Sequence, residues 1–101
     1  MGLFGSKKEA VLPKVSDIFS ADDLLKIKET VGPKSESGGY GKYGDLAKTL
    51  MQVVDAPDRE YTKREWNGII FSAGGLTKIE PELAPLLKGV IERFHAFNKK
   101  K

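Results

Sequence analysis

The pattern that most constrains the fold of this chain is a run of apolar residues near its C-terminus. Its members recur at helical spacing and are Leu86, Leu87, Val90, Ile91, Phe94 and Phe97. Apolar side chains three and four positions apart lie on one face of a helix, so the run predicts a long amphipathic helix from about Pro85. No other face in the sequence is as apolar, and we expect this helix to form the centre of the core.

Another helix is predicted over about 21–31. Ser20 and Asp23 form a helix start signal of the S-x-x-D type, in which each residue bonds to the backbone of the other. Gly32-Pro33 follows the last apolar position, and this pair is expected to end the helix.

The next segment, residues 32–44, is rich in glycine and is predicted to be a flexible loop. Asp45 then stands at a helix N-cap position and precedes apolar residues at helical spacing. These residues predict a helix over about 46–54.

One later segment supports two structures. Thr62 and Glu65 form a capping box that favours a helix over about 63–73. Asn67-Gly68 instead is typical of a two-residue hairpin turn, which would make the fold α+β. The helix is favoured because the hairpin would mix polar and apolar residues on one face.

Gly74-Gly75 is expected to close that helix. The five residues from Leu76 to Glu80 then repeat the pattern that begins at Tyr61, and they predict a further helix start. In this interpretation Glu80 is the capping partner of Thr77.

These elements predict an all-α fold, a small irregular four-helix bundle. One domain is expected over residues 16–97, with Trp66 in its core, a flexible arm at 1–15 and a basic tail at 98–101. No apolar run approaches the roughly 20 residues that a membrane-spanning helix requires.

The excess positive charge of the chain lies at its two ends. Residues 1–14 carry three bases and one acid, and residues 93–101 carry four bases and no acid. The remaining residues, 15–92, hold 10 bases and 13 acids, so the body is slightly acidic despite a pI near 9.1. Basic ends on an acidic body indicate an anionic membrane surface or an acidic protein as the partner.

The N-terminal arm combines this charge with apolar residues. Its start, with Gly2 and Ser6, resembles a eukaryotic N-myristoylation signal, which implies Gly2 as the acyl acceptor. Apolar side chains suit insertion at a membrane interface, and lysines suit anionic headgroups. The predicted contacts to a membrane or partner are Leu3, Phe4, Lys7, Lys8, Lys99, Lys100 and Lys101.

An alternative function involves nucleic acid. Tyr40, Lys42 and Tyr43 combine aromatic and basic side chains, which is typical of single-strand binding, and the C-terminal lysines would add phosphate contacts. The same loop matches G-x-G-x-x-G, but no strand precedes it, so no phosphate-binding loop is predicted. The acidic body disfavours nucleic acid because it repels phosphates.

No catalytic or metal site is predicted, because the chain has no cysteine and its single histidine, His95, lacks partner residues. We therefore expect a non-enzymatic interaction or adaptor domain that needs no cofactor and no small-molecule substrate. The lack of cysteine and of a secretory signal predicts an intracellular protein, cytoplasmic or peripheral at a membrane.

Overall fold

The structure is a computed structural model, and it describes residues 12–99. These residues form helices and turns without any strand, so the all-α prediction is confirmed. The helices are α1 (Val15–Ile18), α2 (Ala21–Glu36), α3 (Gly44–Asp55), α4 (Lys63–Ile79) and α5 (Ala84–Lys99). Short 3₁₀ turns at Gly41–Tyr43 and Pro81–Leu83 lead into α3 and α5.

Each long helix packs against the next one along the chain. The main contacts join α2 to α3, α3 to α4 and α4 to α5, and α1 returns to α5. The direction of the helices alternates, which places their ends at two poles. The arm pole comprises residues 12–20, 56–62 and 93–99, and the turn pole comprises residues 36–43 and 79–84.

The core lies between α4 and its neighbours on both sides. The predicted face of α5 is present, with Leu87, Val90 and Phe94 buried. However, α4 buries more residues than α5, including Trp66, which is fully buried as predicted. The expectation that the last helix forms the centre of the core is therefore corrected: α4, which packs between α3 and α5, takes that place.

Two of the three predicted capping pairs are confirmed. The Ser20 hydroxyl accepts from the Asp23 N–H at 3.0 Å, and the Ser20 N–H donates to the Asp23 carboxylate at 3.0 Å. The same reciprocal pair joins Thr62 and Glu65, at 3.1 Å and 2.9 Å. Asn67 and Gly68 lie inside α4, so the described chain does not adopt the hairpin.

The predicted end of α2 is wrong, because the helix continues through Gly32-Pro33 to Glu36. Gly32 is buried, and a Cβ there would lie 3.5 Å from the methyl carbon of Met51 in α3. Gly32 therefore packs on α3 from inside the helix and does not end it. The first five residues of the predicted loop at 32–44 are consequently helical.

The predicted end of α4 is also wrong, because the helix continues through Gly74-Gly75 to Ile79. A Cβ on Gly75 would lie 2.6 Å from Cδ1 of Leu46, so glycine here gives room for a side chain of α3. Thr77 is in the last turn, where its hydroxyl donates to the carbonyl of Ala73 at 2.8 Å, and it caps no new helix.

The N-terminal boundary of the folded part lies before residue 16. Pro13 and Val15 are buried, although both fall in the predicted arm at 1–15. Residues 1–11 lie outside the described part, so a flexible arm remains a prediction for them. Within the described part, no helix combines the length and the apolar character needed to cross a bilayer.

Candidate functional site

Most of the predicted contact residues lie outside the described part of the chain. Lys99 is the exception: it is the last residue of α5 and is exposed. For the other residues, the structure gives the points from which the arm and the tail leave the folded domain, residues 12 and 99. The residues outside the described range are Gly2, Leu3, Phe4, Lys7, Lys8, Lys100 and Lys101.

The arm and the tail leave the domain at the same pole. Arg93 of α5 donates hydrogen bonds to the carbonyl oxygen of Ile18 and, at 2.9 Å, to the carboxylate of Asp23. Lys99 follows Arg93 by six residues, which is about 9 Å along a helix. Leu12 lines the same cleft as Phe19, the neighbour of Ile18, so both exits lie at the end of the domain where Arg93 contacts Ile18.

A cleft of about 680 Å³ opens at this pole, between residues 12–24 and 57–61. Its apolar lining includes Phe19, Leu24 and Leu12, and Leu12 is 37% exposed. The volume is in the range of small-ligand sites in proteins. The first described residue of the chain thus forms part of the cleft wall.

The floor of the cleft rests on an aromatic cluster. Phe19 and Tyr61 line the cleft, and both pack against Trp66, with ring centroids 6.5 Å and 6.0 Å from it. Phe94 stacks on the same indole at 5.6 Å. The Tyr61 hydroxyl donates to the carbonyl of Ala56 at 3.0 Å, and burial raises the pKa of Tyr61. These contacts make the floor rigid and apolar.

The charged residues that line the cleft are the acids Asp58 and Glu60 and the bases Lys14 and Arg59. Arg59 is engaged with Glu65, to whose carboxylate it donates at 2.5 Å. A hydrogen bond from the Thr62 backbone, with Arg59 nearby, holds the pKa of Glu65 below its usual range. Asp58 and Glu60 are exposed and form no ion pair within residues 12–99. A ligand with positive charge beside apolar groups therefore fits this cleft best.

The alternative nucleic-acid residues lie at the turn pole, and the structure separates them. Tyr40 is buried, its hydroxyl donates to a Glu80 carboxylate oxygen at 2.8 Å, and Lys34 Nζ lies 4.8 Å from its ring centroid. Tyr43 is 43% exposed, with Lys42 Nζ 5.3 Å from its ring centroid. Lys42 and Tyr43 are accessible, whereas the Tyr40 ring is not free to stack on a base.

Glu80 joins two elements at the turn pole instead of capping a helix with Thr77. Lys34 Nζ donates at 2.9 Å to the same oxygen that accepts from Tyr40. The hydrogen bond from Lys34 lowers the pKa of Glu80. Burial and the hydrogen bond to Glu80 raise the pKa of Tyr40. The predicted cap at Thr77 and Glu80 is therefore corrected to a polar tie between α2, the glycine-rich turn and the end of α4.

The cleft was not found by reasoning on the sequence, although part of its signal was present. Phe19 and Tyr61 each precede a helix N-cap, at the position where an apolar residue packs on the first turn. That two helix N-termini lie side by side depends on the order in which the helices pack. No group of three or more metal-ligating side chains occurs in residues 12–99.

Comparison with models of protein families, with curated proteins and with solved structures finds no match to this chain. Its function is therefore inferred from its own residues alone.

Proposed function

We propose that this chain is a non-enzymatic adaptor domain that attaches to an anionic membrane surface through its N-terminal arm and its lysine tail. One observation carries the proposal: the exits of the arm and the tail lie together at the arm pole, on either side of the Arg93 contact with Ile18. Two segments that leave one pole are able to contact one flat surface at the same time.

Charge supplies one part of the attachment. The arm contributes Lys7 and Lys8 against one acid, Lys14 follows at the start of the folded part, and the tail contributes three lysines in succession. Each basic residue near an anionic leaflet is worth about 1 kcal/mol.

Apolar groups supply the other part. Leu3 and Phe4 are the apolar residues proposed to insert at the interface, and Gly2 is the candidate acyl acceptor. A single acyl chain binds a bilayer only marginally, at about 10⁴ M⁻¹, and stable attachment takes a second signal. The lysines of the arm and tail provide this second signal.

The geometry favours a membrane over nucleic acid. The nucleic-acid alternative joins the turn residues Lys42 and Tyr43 to the C-terminal lysines, of which Lys99, the described one, lies at the opposite pole. The 16 residues of α5 separate the poles, which is about 24 Å. In addition, Tyr40 is buried and tied to Glu80. An acidic protein would attract the same basic segments as an anionic membrane. One outcome of the tests below would indicate such a partner.

The apolar contribution is tested by binding of the full chain to vesicles of phosphatidylcholine with and without phosphatidylserine. The double substitution Leu3→Ser and Phe4→Ser is expected to weaken binding by tenfold or more, since burial of each apolar side chain is worth roughly 1.5–3 kcal/mol. The matched control is Leu25→Ser with Phe71→Ser, because these residues are 54% and 73% exposed on the body. The control is expected to bind like the unaltered chain.

The charge contribution is tested by changing Lys99, Lys100 and Lys101 to Gln. Loss of three lysines at about 1 kcal/mol each is expected to lower affinity for anionic vesicles on the order of 100-fold. The matched control changes three exposed body lysines to Gln and has the same net charge; the residues are Lys28, Lys48 and Lys88. Equal losses in both variants would show that only net charge matters and would contradict attachment through the arm pole.

Two further outcomes decide between the alternatives. Binding to a labelled oligonucleotide with a steep salt dependence, without binding to vesicles, would replace the membrane with nucleic acid. Binding to neither would leave an acidic protein as the partner and would also overturn the membrane proposal. An intact mass that lacks Met1 and gains a 14-carbon acyl group would identify Gly2 as acylated in the native source.

A further inference from the structure

We infer that the cleft at the arm pole binds the N-terminal arm of the same chain, residues 1–11, when no membrane is present. The inference rests on the proposed function for its consequence, a competition between cleft and membrane for the same residues. Docking itself is an intramolecular contact and is measured without a membrane.

Chain connectivity brings the arm to the cleft. Leu12, the residue that follows the arm, lines the cleft itself. Phe4 lies eight residues before Leu12, and eight extended residues span up to about 26 Å. A short tether of this kind gives an effective concentration in the millimolar range, so weak contacts suffice for docking.

The apolar parts of arm and cleft match. Leu12 is 37% exposed and Leu24 is half-buried, so the cleft leaves apolar surface open to water. Leu3 and Phe4 are the large apolar residues at the start of the arm, and they would cover this surface. Burial of apolar area from both partners is the main driving force for such a contact.

The charges match as well. Asp58 and Glu60 on the rim form no ion pair within residues 12–99, and the arm carries Lys7 and Lys8. Arg59, the basic residue between them, is occupied by Glu65. With Lys14 as the other base of the lining, two acids and one base remain, so the two lysines behind the apolar pair meet a lining with an excess of negative charge. The tail, which is the other basic segment, has no large apolar residue after Phe97. It therefore matches the cleft in charge but not in apolar surface.

Docking of the arm regulates attachment. In solution the cleft shields Leu3 and Phe4 from water and from other proteins. An anionic membrane offers these residues a larger apolar phase and more negative charge, so it draws the arm out of the cleft. The arm thus has two states, and each ligand shifts the population only by its differential affinity for them.

A spin label on the arm tests docking in the full chain without vesicles. The chain has no cysteine, so Ser6→Cys gives a single labelling site. Docking predicts broadening of the amide NMR signals of residues 58–61, which Leu3→Ser with Phe4→Ser relieves and Leu25→Ser with Phe71→Ser does not. A label at Ser37→Cys, at the turn pole, is expected to leave the amide signals of residues 58–61 sharp. Broadening that is absent, or unchanged by the arm substitutions, overturns docking.

A second variant addresses the rim. Asp58→Lys with Glu60→Lys is expected to release the arm, to sharpen the amide signals of residues 58–61 and to raise affinity for anionic vesicles severalfold. Glu29→Lys with Glu82→Lys, on exposed residues away from the cleft, makes the same change in net charge. An equal rise in both variants, together with persistent broadening in the rim variant, contradicts docking through the rim.

Two outcomes distinguish docking within one chain from docking between two chains and from the membrane proposal. If broadening appears only when spin-labelled chains are mixed with isotope-labelled chains, the occupant is the arm of a second copy, and intramolecular docking is wrong. If broadening responds as expected but the unaltered chain does not bind vesicles, docking stands and the membrane proposal fails.

Discussion

The two poles of the molecule are held together by different chemistry. At the arm pole, three aromatic rings pack around Trp66 and bury it completely. At the turn pole, Lys34 and Tyr40 meet at one carboxylate oxygen of Glu80. Aromatic packing depends on buried area and shape, whereas a carboxylate tie depends on ionisation.

The two poles also differ in how firmly their segments are joined. The arm pole also has Arg93, which binds Ile18 and Asp23 and so joins the start of the chain to its last helix. The turn pole contains two glycines with positive φ, Gly38 and Gly41. Its segments are joined in part by the polar contacts of Glu80.

Among the substitutions that compare the two poles, Trp66→Ala is expected to have the largest effect on stability. Removal of a fully buried indole from the aromatic cluster is expected to lower the free energy of unfolding by about 3–5 kcal/mol. Urea unfolding followed by circular dichroism measures the loss. Phe71→Ala is the control, since Phe71 is 73% exposed, and it is expected to change stability by less than about 0.5 kcal/mol. Similar losses for both would contradict the central role of the arm-pole cluster.

The next effect is expected from Arg93→Met. The change removes the donor to the buried Ile18 carbonyl and to the Asp23 carboxylate, and we expect a loss of about 1–2 kcal/mol in the free energy of unfolding. Arg64→Met is the matched control, because Arg64 is exposed and forms no ion pair within the described residues. Faster hydrogen exchange at residues 15–18 in the Arg93 variant would locate the loss at the arm pole.

A smaller, pH-dependent effect is expected from Glu80→Gln at the turn pole. The hydrogen bond from Lys34 lowers the pKa of Glu80 from its usual value of 4.5. The carboxylate therefore stabilises the fold above that value, and this contribution is lost as the pH falls through the lowered pKa. At neutral pH the variant is expected to be less stable by about 1 kcal/mol.

The pH profile distinguishes this tie from packing. The stability difference between the unaltered chain and Glu80→Gln is expected to shrink between neutral pH and about pH 3, as measured by urea unfolding. Glu82→Gln, a change at an exposed neighbour, is the control and is expected to show no such convergence. A difference that stays constant with pH would show that Glu80 acts through packing alone.

The smallest effects concern two glycines and have opposite signs. Gly38 has φ of 76°, so Gly38→Ala is expected to destabilise the chain by about 1 kcal/mol. Gly68 lies inside α4 with open space where a Cβ would stand, so Gly68→Ala is expected to stabilise by about 0.4–1 kcal/mol. Thermal unfolding measures both changes. Effects of the same sign would contradict the helical assignment of Gly68 or the turn at Gly38.

The sequence predicted the helices well where local signals decide. Ser20 with Asp23, and Thr62 with Glu65, form reciprocal hydrogen bonds within four residues, and such contacts are readable from the chain alone. It failed at glycines and at Pro33. Gly32 and Gly75 are next to Met51 and Leu46 of a neighbouring helix, so their small size serves packing and not helix ends.

The candidate site was predictable only in part. The basic ends and the apolar start of the arm are properties of the sequence. The cleft consists of residues 12–24 and 57–61, which are far apart in the chain and come together because α1 and α2 begin near the start of α4. Likewise, Tyr40 was predicted to be accessible for stacking, but Glu80, 40 positions later, holds it in the core.

By itself, the sequence determined that the chain is helical, where its capping boxes lie and that its charge is concentrated at the two ends, because these features depend on neighbours within one or two helical turns. The tertiary structure alone decided that both basic ends leave one pole, that a cleft with an acidic rim lies beside them and that the glycine-rich turn is at the other pole. Those outcomes depend on the order and direction in which helices pack, and long-range contacts set that order.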